Sequence, residues 1–78
     1  MLKKKIKNFV IKKTKEKFSN DDDLIRKEII DSFGLIEIVQ FIEVSLKLKC
    51  PIEKISVTNF NTINNIVIFL RKFNKEIK

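Results

Sequence analysis

Apolar residues recur along this chain at the spacing of an α-helix, and polar clusters separate the stretches in which they do so. In the first stretch Leu2, Ile6 and Lys13 fall on the apolar stripe, and most lysines take the opposite face. Polar residues around Asp22 interrupt this pattern, and Pro51 interrupts it again. The predicted elements are helices at about residues 2–17, 32–47 and 62–74, with a short helical turn at 53–57.

The last stretch is the one place where a strand competes with a helix. Its apolar stripe has helical spacing, and Asn61 or Thr62 can cap its start. β-branched residues are frequent there, so a strand over residues 63–70 is the alternative. The helix is preferred because no alternating partner segment accompanies it. We predict an all-α fold, a small three-to-four-helix bundle, in a single domain that spans residues 1–78.

The second predicted helix has two apolar faces. One is an ordinary core stripe that includes Leu35, Ile38 and Ile42. The other interleaves apolar and acidic side chains, and in a small bundle it should be at least partly exposed, as a docking surface is. The alternative is a central helix that is buried on all sides. This candidate surface, called the docking face below, consists of Phe33, Ile36, Glu37, Gln40, Glu43 and Val44.

Composition excludes most catalytic and metal chemistry. The chain has 78 residues, enough for one domain with a modest core. It has no histidine and one cysteine, Cys50, so it can form neither a Cys/His metal site nor an internal disulfide. Cys50 is expected to pack as a small apolar residue beside Pro51. We therefore predict a protein on which enzymes act, with no catalytic residues and no metal.

Hydropathy and charge limit the possible partners. No apolar run approaches the ~20 residues of a membrane span or resembles a signal peptide, so the expected compartment is the cytoplasm. The net charge of +7 lies entirely in residues 1–17, which hold eight lysines and one glutamate; residues 18–78 hold nine basic and nine acidic residues. Three interpretations of the lysines stay open: a solvated face, contact with an acidic partner, or contact with anionic membrane or nucleic acid.

One motif, Asp31-Ser32-Phe33-Gly34-Leu35, opens the second predicted helix and has a chemical consequence. Asp31 is expected to be the N-cap, because its carboxylate can accept hydrogen bonds from the first turn. Ser32 then has its hydroxyl toward solvent, and the positive end of the helix dipole favours a phosphodiester there. Gly34 is expected to keep that turn open to a partner. The alternative is that Ser32 only caps the helix.

This motif, together with Pro51 and the segment Asn59-Phe60-Asn61-Thr62-Ile63, resembles acyl and peptidyl carrier proteins. The resemblance covers roughly residues 24–73 and implies an acyl-carrier-like bundle. It implies that a phosphopantetheinyl transferase attaches 4′-phosphopantetheine from coenzyme A to Ser32, with Asp31 presenting the serine. It assigns the docking face to partner enzymes: the transferase, an acyl- or aminoacyl-activating ligase and acyl-transfer enzymes. The expected protein is a monomer that carries an acyl or aminoacyl thioester.

The sequence departs from this family in two respects. Fatty-acid carriers are strongly acidic, whereas this chain is basic, and the usual glycine before the Asp-Ser pair is replaced near Glu28. We therefore expect a dedicated carrier of a specialised biosynthetic pathway. Two other classes of function stay open, a small basic nucleic-acid-binding domain and a helical protein adaptor. Nucleic acid is the less expected partner, because the polar side of the second helix is acidic.

Overall fold

Helices form every regular element of residues 2–74, the part of the chain that the computed structural model describes. Loops that contribute their own apolar residues to the core connect them. In chain order the elements are α1 (Leu2–Thr14), α2 (Ser32–Gln40), a π-helical turn that continues α2 (Phe41–Ser45), a 3-10 turn (Ile52–Lys54), α3 (Val57–Phe60) and α4 (Ile63–Phe73).

The prediction of an all-α fold is confirmed for this part of the chain. The alternative strand over residues 63–70 is wrong, because these residues lie in α4, where Ile66 and Leu70 are buried one helical turn apart. Thr62 is the N-cap of α4, since its hydroxyl accepts a hydrogen bond from the Asn65 N–H at 2.9 Å. None of the helices described here is long and apolar enough to cross a lipid bilayer.

Helix α1 ends at Thr14, before the predicted boundary at residue 17. Lys15 follows it in the left-handed region, with a φ of 62°, and donates its N–H to the Ile11 carbonyl at 2.7 Å. This tight end changes the direction of the chain, and Phe18 then enters the core. No glycine marks this reversal in the sequence, so the boundary predicted from periodicity lies three residues beyond the observed end of the helix.

The second predicted helix, residues 32–47, is not one continuous α-helix. Helix α2 ends at Gln40, and the next turn is π-helical, with the Leu46 N–H donating to the Phe41 carbonyl at 3.2 Å. Lys47 then has a φ of 56°, which ends the helical path. A π turn holds more residues than an α turn, so the side chains in it depart from the α-helical period.

The predicted turn at residues 53–57 is replaced by two elements, the 3-10 turn and α3. A capping box begins α3: the Ser56 hydroxyl accepts from the Asn59 N–H, and the Asn59 side-chain oxygen accepts from the Ser56 N–H at 2.9 Å. An asparagine stands where glutamate or glutamine is usual, which explains why the sequence did not predict this helix. Phe60, at the end of α3, is fully buried and meets Phe69 edge to face.

The loop between α1 and α2 is fastened to the junction of α3 and α4. Leu24 is fully buried, and its N–H donates to the Asn61 carbonyl at 2.7 Å. The Asn61 side chain donates to Asp23 Oδ2 at 3.0 Å. These bonds fix the segment from which α2 starts. The core that the loop covers includes Ile6, Val10, Ile38, Ile42, Phe60, Ile63, Ile66 and Leu70.

Candidate functional site

Ser32 is the first residue of α2, and it is exposed. Asp31 precedes it in an extended conformation, and its Oδ1 accepts a hydrogen bond from the Gly34 N–H at 2.8 Å. The prediction of Asp31 as the N-cap is therefore confirmed. The alternative in which Ser32 only caps the helix is wrong, because the aspartate occupies that position. The Ser32 hydroxyl thus lies at the positive end of α2 without a capping role.

Gly34 faces the interior of the protein, which corrects the expectation that it leaves the first turn open to a partner. It is buried. A Cβ at this position would lie 3.2 Å from the Cβ of Ile30 and 3.5 Å from Asp31 Oδ1. Because glycine has no side chain, the first turn of α2 can lie close against Ile30. Gly34 therefore supports the site by close packing behind it.

A tight turn precedes the site and is built on one carbonyl group. The N–H groups of Ile29 and Ile30 both donate to the Leu24 carbonyl, at 2.8 and 3.1 Å. Glu28, near which the resemblance places a glycine, has a φ of 59°, in the region that glycine adopts most easily. The backbone shape expected of a glycine is thus kept by a glutamate. Since Ile30 is also buried, the turn holds the start of α2 in a fixed place.

The docking face is open to solvent except at Glu37, which is half-buried. Phe33, Ile36 and Val44 are 68 %, 51 % and 72 % exposed, and Gln40 and Glu43 are exposed as well. The alternative in which the second helix is buried on all sides is therefore wrong. The core stripe on the other side of the same helix is buried or half-buried, as its spacing predicts.

An apolar cleft of about 370 Å³ lies beside α2. Ile36, Gln40 and Glu43 contribute to its lining from the helical side, and Ile52 contributes from the 3-10 turn. Ile52 is 70 % exposed, and it is not one of the six residues that the sequence assigns to the docking face. The only signal for it was an isolated apolar residue directly after Pro51. Its position next to α2 depends on how the chain folds back, which a helical wheel does not show.

Phe33 lies away from this cleft, at a second concavity of about 300 Å³ that it lines with Asp31, Lys13 and Glu37. A contact across this concavity joins two separate helices, so the sequence alone does not predict it. Lys13 Nζ lies 2.6 Å from Glu37 Oε2, and the two side chains are 37 % and 29 % exposed. Lys13 was expected on the apolar stripe of the first helix; instead it pairs with an acid of the docking face.

Cys50 is buried, as predicted from its place beside Pro51. Burial raises the pKa of its thiol to about 11, and the nearby carboxylate of Glu43 adds to the rise. A thiol with so high a pKa is a poor nucleophile at neutral pH. Thioester chemistry at this protein would therefore need a thiol other than that of Cys50.

Binding of a metal ion would need a group of side chains placed to hold it. Within residues 2–74, no group of three or more histidine, cysteine, aspartate and glutamate side chains is placed to hold a metal ion. The site thus consists of an exposed serine at a helix start, its aspartate cap, and an apolar cleft farther along the same helix. In comparisons with known proteins, no family model matches the chain, and no curated protein matches it.

Proposed function

We propose that this protein is a carrier of the acyl-carrier type that bears 4′-phosphopantetheine on Ser32. The observation that supports the proposal most directly is the exposed serine at the start of α2, with the cap supplied by Asp31. In the attachment reaction Ser32 Oγ forms a bond to the phosphorus that bears the pantetheine part of coenzyme A. 3′,5′-Adenosine diphosphate leaves, and the hydroxyl proton passes to the transferase or to water. The thiol of the arm then takes an acyl or aminoacyl group as a thioester.

The start of α2 suits such a phosphodiester. Its negative charge would lie at the positive end of the helix dipole, which favours an exposed anion by about 0.3–1 kcal/mol. The cap uses Oδ1 of Asp31, so Oδ2 can face an incoming enzyme. Asp31 would therefore both cap the helix and present the serine to the transferase.

The docking face lies on the route by which an enzyme would approach Ser32. Ile36 follows Ser32 by four residues, so both lie on the same side of α2. An enzyme seated on the exposed apolar residues of this face would have the arm at its edge. We propose that the transferase, the acyl- or aminoacyl-activating ligase and the acyl-transfer enzymes all bind here.

The proposed setting follows from charge and from the single cysteine. We propose a cytoplasmic protein, since cysteines stay reduced in that compartment. We propose a monomer, because a net charge of +7 opposes self-association. The same basic charge favours a dedicated carrier of a specialised pathway over a carrier of fatty-acid synthesis.

The proposal is tested by the intact mass of the protein after co-expression with a broad-specificity phosphopantetheinyl transferase. The wild type should gain the mass of one phosphopantetheine, and Ser32→Ala should gain none. Ser45→Ala is the matched control, because Ser45 is another exposed serine of the same helical segment; it should be modified like the wild type. An unmodified wild type, or a Ser32→Ala protein that still gains the mass, would refute the proposal.

A protein adaptor is the second candidate, and the exposed apolar residues of the docking face favour it. An adaptor would use Phe33, Ile36 and Val44 to bind a partner without any modification of Ser32. The two functions predict different proteins in the native cell. Intact-mass measurement of the native protein should show the adduct if it is a carrier; a protein that is uniformly bare at Ser32 would support the adaptor.

A further inference from the structure

Resting on the proposed function of Ser32, we infer that its modifying transferase binds the docking face through an apolar surface of its own, and that Lys13 makes this possible by neutralising Glu37. The docking surface then includes Ile52 as well as Ile36. The enzyme surface that contacts the residues lining the cleft is thus apolar rather than basic.

Exposure and position support the apolar character of the contact. Ile36 and Ile52 belong to different elements, yet both line the same cleft and both have more than half of their surface exposed. Single exposed apolar residues are common on protein surfaces, but a group gathered around one cleft is typical of an interaction site. Val44 does not line the cleft, but it is 72 % exposed and follows Glu43 of the lining in the π-helical turn that continues α2.

The distribution of charge supports it as well. Glu37 is held in an ion pair by Lys13 at 2.6 Å, and Gln40 is neutral. Among residues 2–74, no lysine or arginine forms an ion pair with Glu43, the other acid of the docking face. Attraction to a basic partner needs a field of several like charges, which this face lacks. A second copy of the chain is a poor occupant, because two molecules of net charge +7 repel each other. An apolar enzyme surface is the remaining complement.

Truncation of the apolar residues gives the first part of the test. The rate of Ser32 modification by the transferase is measured as kcat/KM with coenzyme A in excess. Ile36→Ala and Ile52→Ala should each lower it by about fivefold, since each removes apolar area from the contact. Ile68→Ala is the matched control: Ile68 is 54 % exposed, like Ile36, but it belongs to α4 and lines neither the cleft nor the concavity at Phe33. It should keep the wild-type rate.

Charge substitution gives the second part. Lys13→Gln leaves Glu37 uncompensated at an apolar contact and should lower kcat/KM by about threefold. Adding Glu37→Gln in the same chain should restore the rate, because the unpaired charge is then gone. Lys12→Gln changes the net charge equally from an exposed position next to Lys13 and should have little effect.

The outcomes separate this inference from the proposed function. If the wild type is not modified, the proposed function and the inference fail together. If Ser32 is modified but Ile36→Ala behaves like Ile68→Ala, the inference alone is overturned. A Lys13→Gln rate that rises, or one that Glu37→Gln does not restore, also overturns it. Helical circular dichroism of each variant checks that the fold is intact before the rates are compared.

Discussion

Burial makes the Cys50 thiol slow to react, whereas the thiol proposed at the end of the phosphopantetheine arm is exposed and should react fast. Its pKa, raised to about 11 by burial and by Glu43, leaves about one thiolate in 10⁴ at neutral pH. We predict that the unmodified, folded protein reacts with 5,5′-dithiobis(2-nitrobenzoate) at least about 100-fold more slowly than the same chain in urea. The absorbance of the released thiolate measures the rate.

The modified protein provides the control for this prediction. It should show one fast thiol, from the exposed arm, and one slow thiol, from Cys50. Ser32→Ala treated with the same transferase should show only the slow one. A fast-reacting thiol in the unmodified folded protein would contradict the burial of Cys50.

Glu28 is a residue whose backbone conformation does not match its type. A non-glycine residue in the left-handed region costs the folded protein about 1–2 kcal/mol, which a glycine would not. Glycine has greater freedom in the unfolded chain, and this offsets about 0.4–1 kcal/mol of that gain in stability. We therefore expect Glu28→Gly to raise the free energy of unfolding by about 0.5–1 kcal/mol, measured by urea denaturation. Glu16→Gly is the control, because Glu16 is an exposed loop residue outside the set with positive φ. An equal gain in both variants would argue against relief of the Glu28 backbone.

The start of α2 allows the capping role of Asp31 to be separated from its proposed role toward the transferase. Asp31→Ala removes the acceptor for the Gly34 N–H and should lower the free energy of unfolding by about 1 kcal/mol. Asp31→Asn keeps an oxygen at that position and should be nearly as stable as the wild type. If the carboxylate also presents Ser32, the asparagine variant should still be modified more slowly.

Two measurements decide this prediction: urea denaturation for the cap and the modification rate for the presentation role. Equal stability of the alanine variant and the wild type would contradict the cap. Equal modification rates of the asparagine variant and the wild type would limit Asp31 to a structural role.

Helix starts could be predicted from this sequence better than helix ends. Asp31 and Thr62 cap their helices through side chains that reach only three residues along the chain, so their chemistry is visible locally. The ends depend on Lys15 and Lys47, which take positive φ without a glycine to signal it. The tertiary structure holds these conformations, and no local pattern of the sequence records them.

The candidate site shows the same division between local and distant information. A helical wheel predicted the exposure of Phe33, Ile36 and Val44, because their spacing along one helical segment places them on the side away from the core. The wheel could not show that Lys13 pairs with Glu37 or that the 3-10 turn brings Ile52 to the cleft. Those contacts join separate elements, and their formation depends on the packing of the whole bundle.

At the scale of the whole molecule, side-chain amides and carboxylates join segments that also contribute apolar residues to the core. Asn74 is buried; its Nδ2 donates to the Leu70 and Lys49 carbonyls, both at 2.9 Å, and its Oδ1 accepts from the Lys49 N–H at 2.7 Å. These bonds fix the end of α4 to the segment that leads into the cleft. At the opposite junction, Asp23 joins the loop before α2 to Asn61.

This second junction makes the stability of the fold sensitive to acid. The Arg26 N–H donates to Asp23 Oδ1 at 2.8 Å, and this bond, assisted by the one from Asn61, holds the pKa of Asp23 below its ordinary value of 3.8. The hydrogen bond and charge of Lys27 lower the pKa of Asp22 in the same loop. In the unfolded chain both carboxyl groups regain ordinary pKa values, so they bind protons more readily there.

The contribution of Asp23 to stability is therefore fully present above pH 3.8 and is lost as the pH falls through its lower folded-state pKa. We predict that the urea midpoint of the wild type falls in this window and that Asp23→Asn, already less stable at neutral pH, shows a smaller fall. Glu53→Gln removes one carboxylate from an exposed position of the 3-10 turn and should keep the acid sensitivity of the wild type. If Asp23→Asn loses as much stability in acid as Glu53→Gln, the acid sensitivity arises elsewhere in the molecule. Protonation of the loop before α2 is then not the step that destabilises the fold in acid.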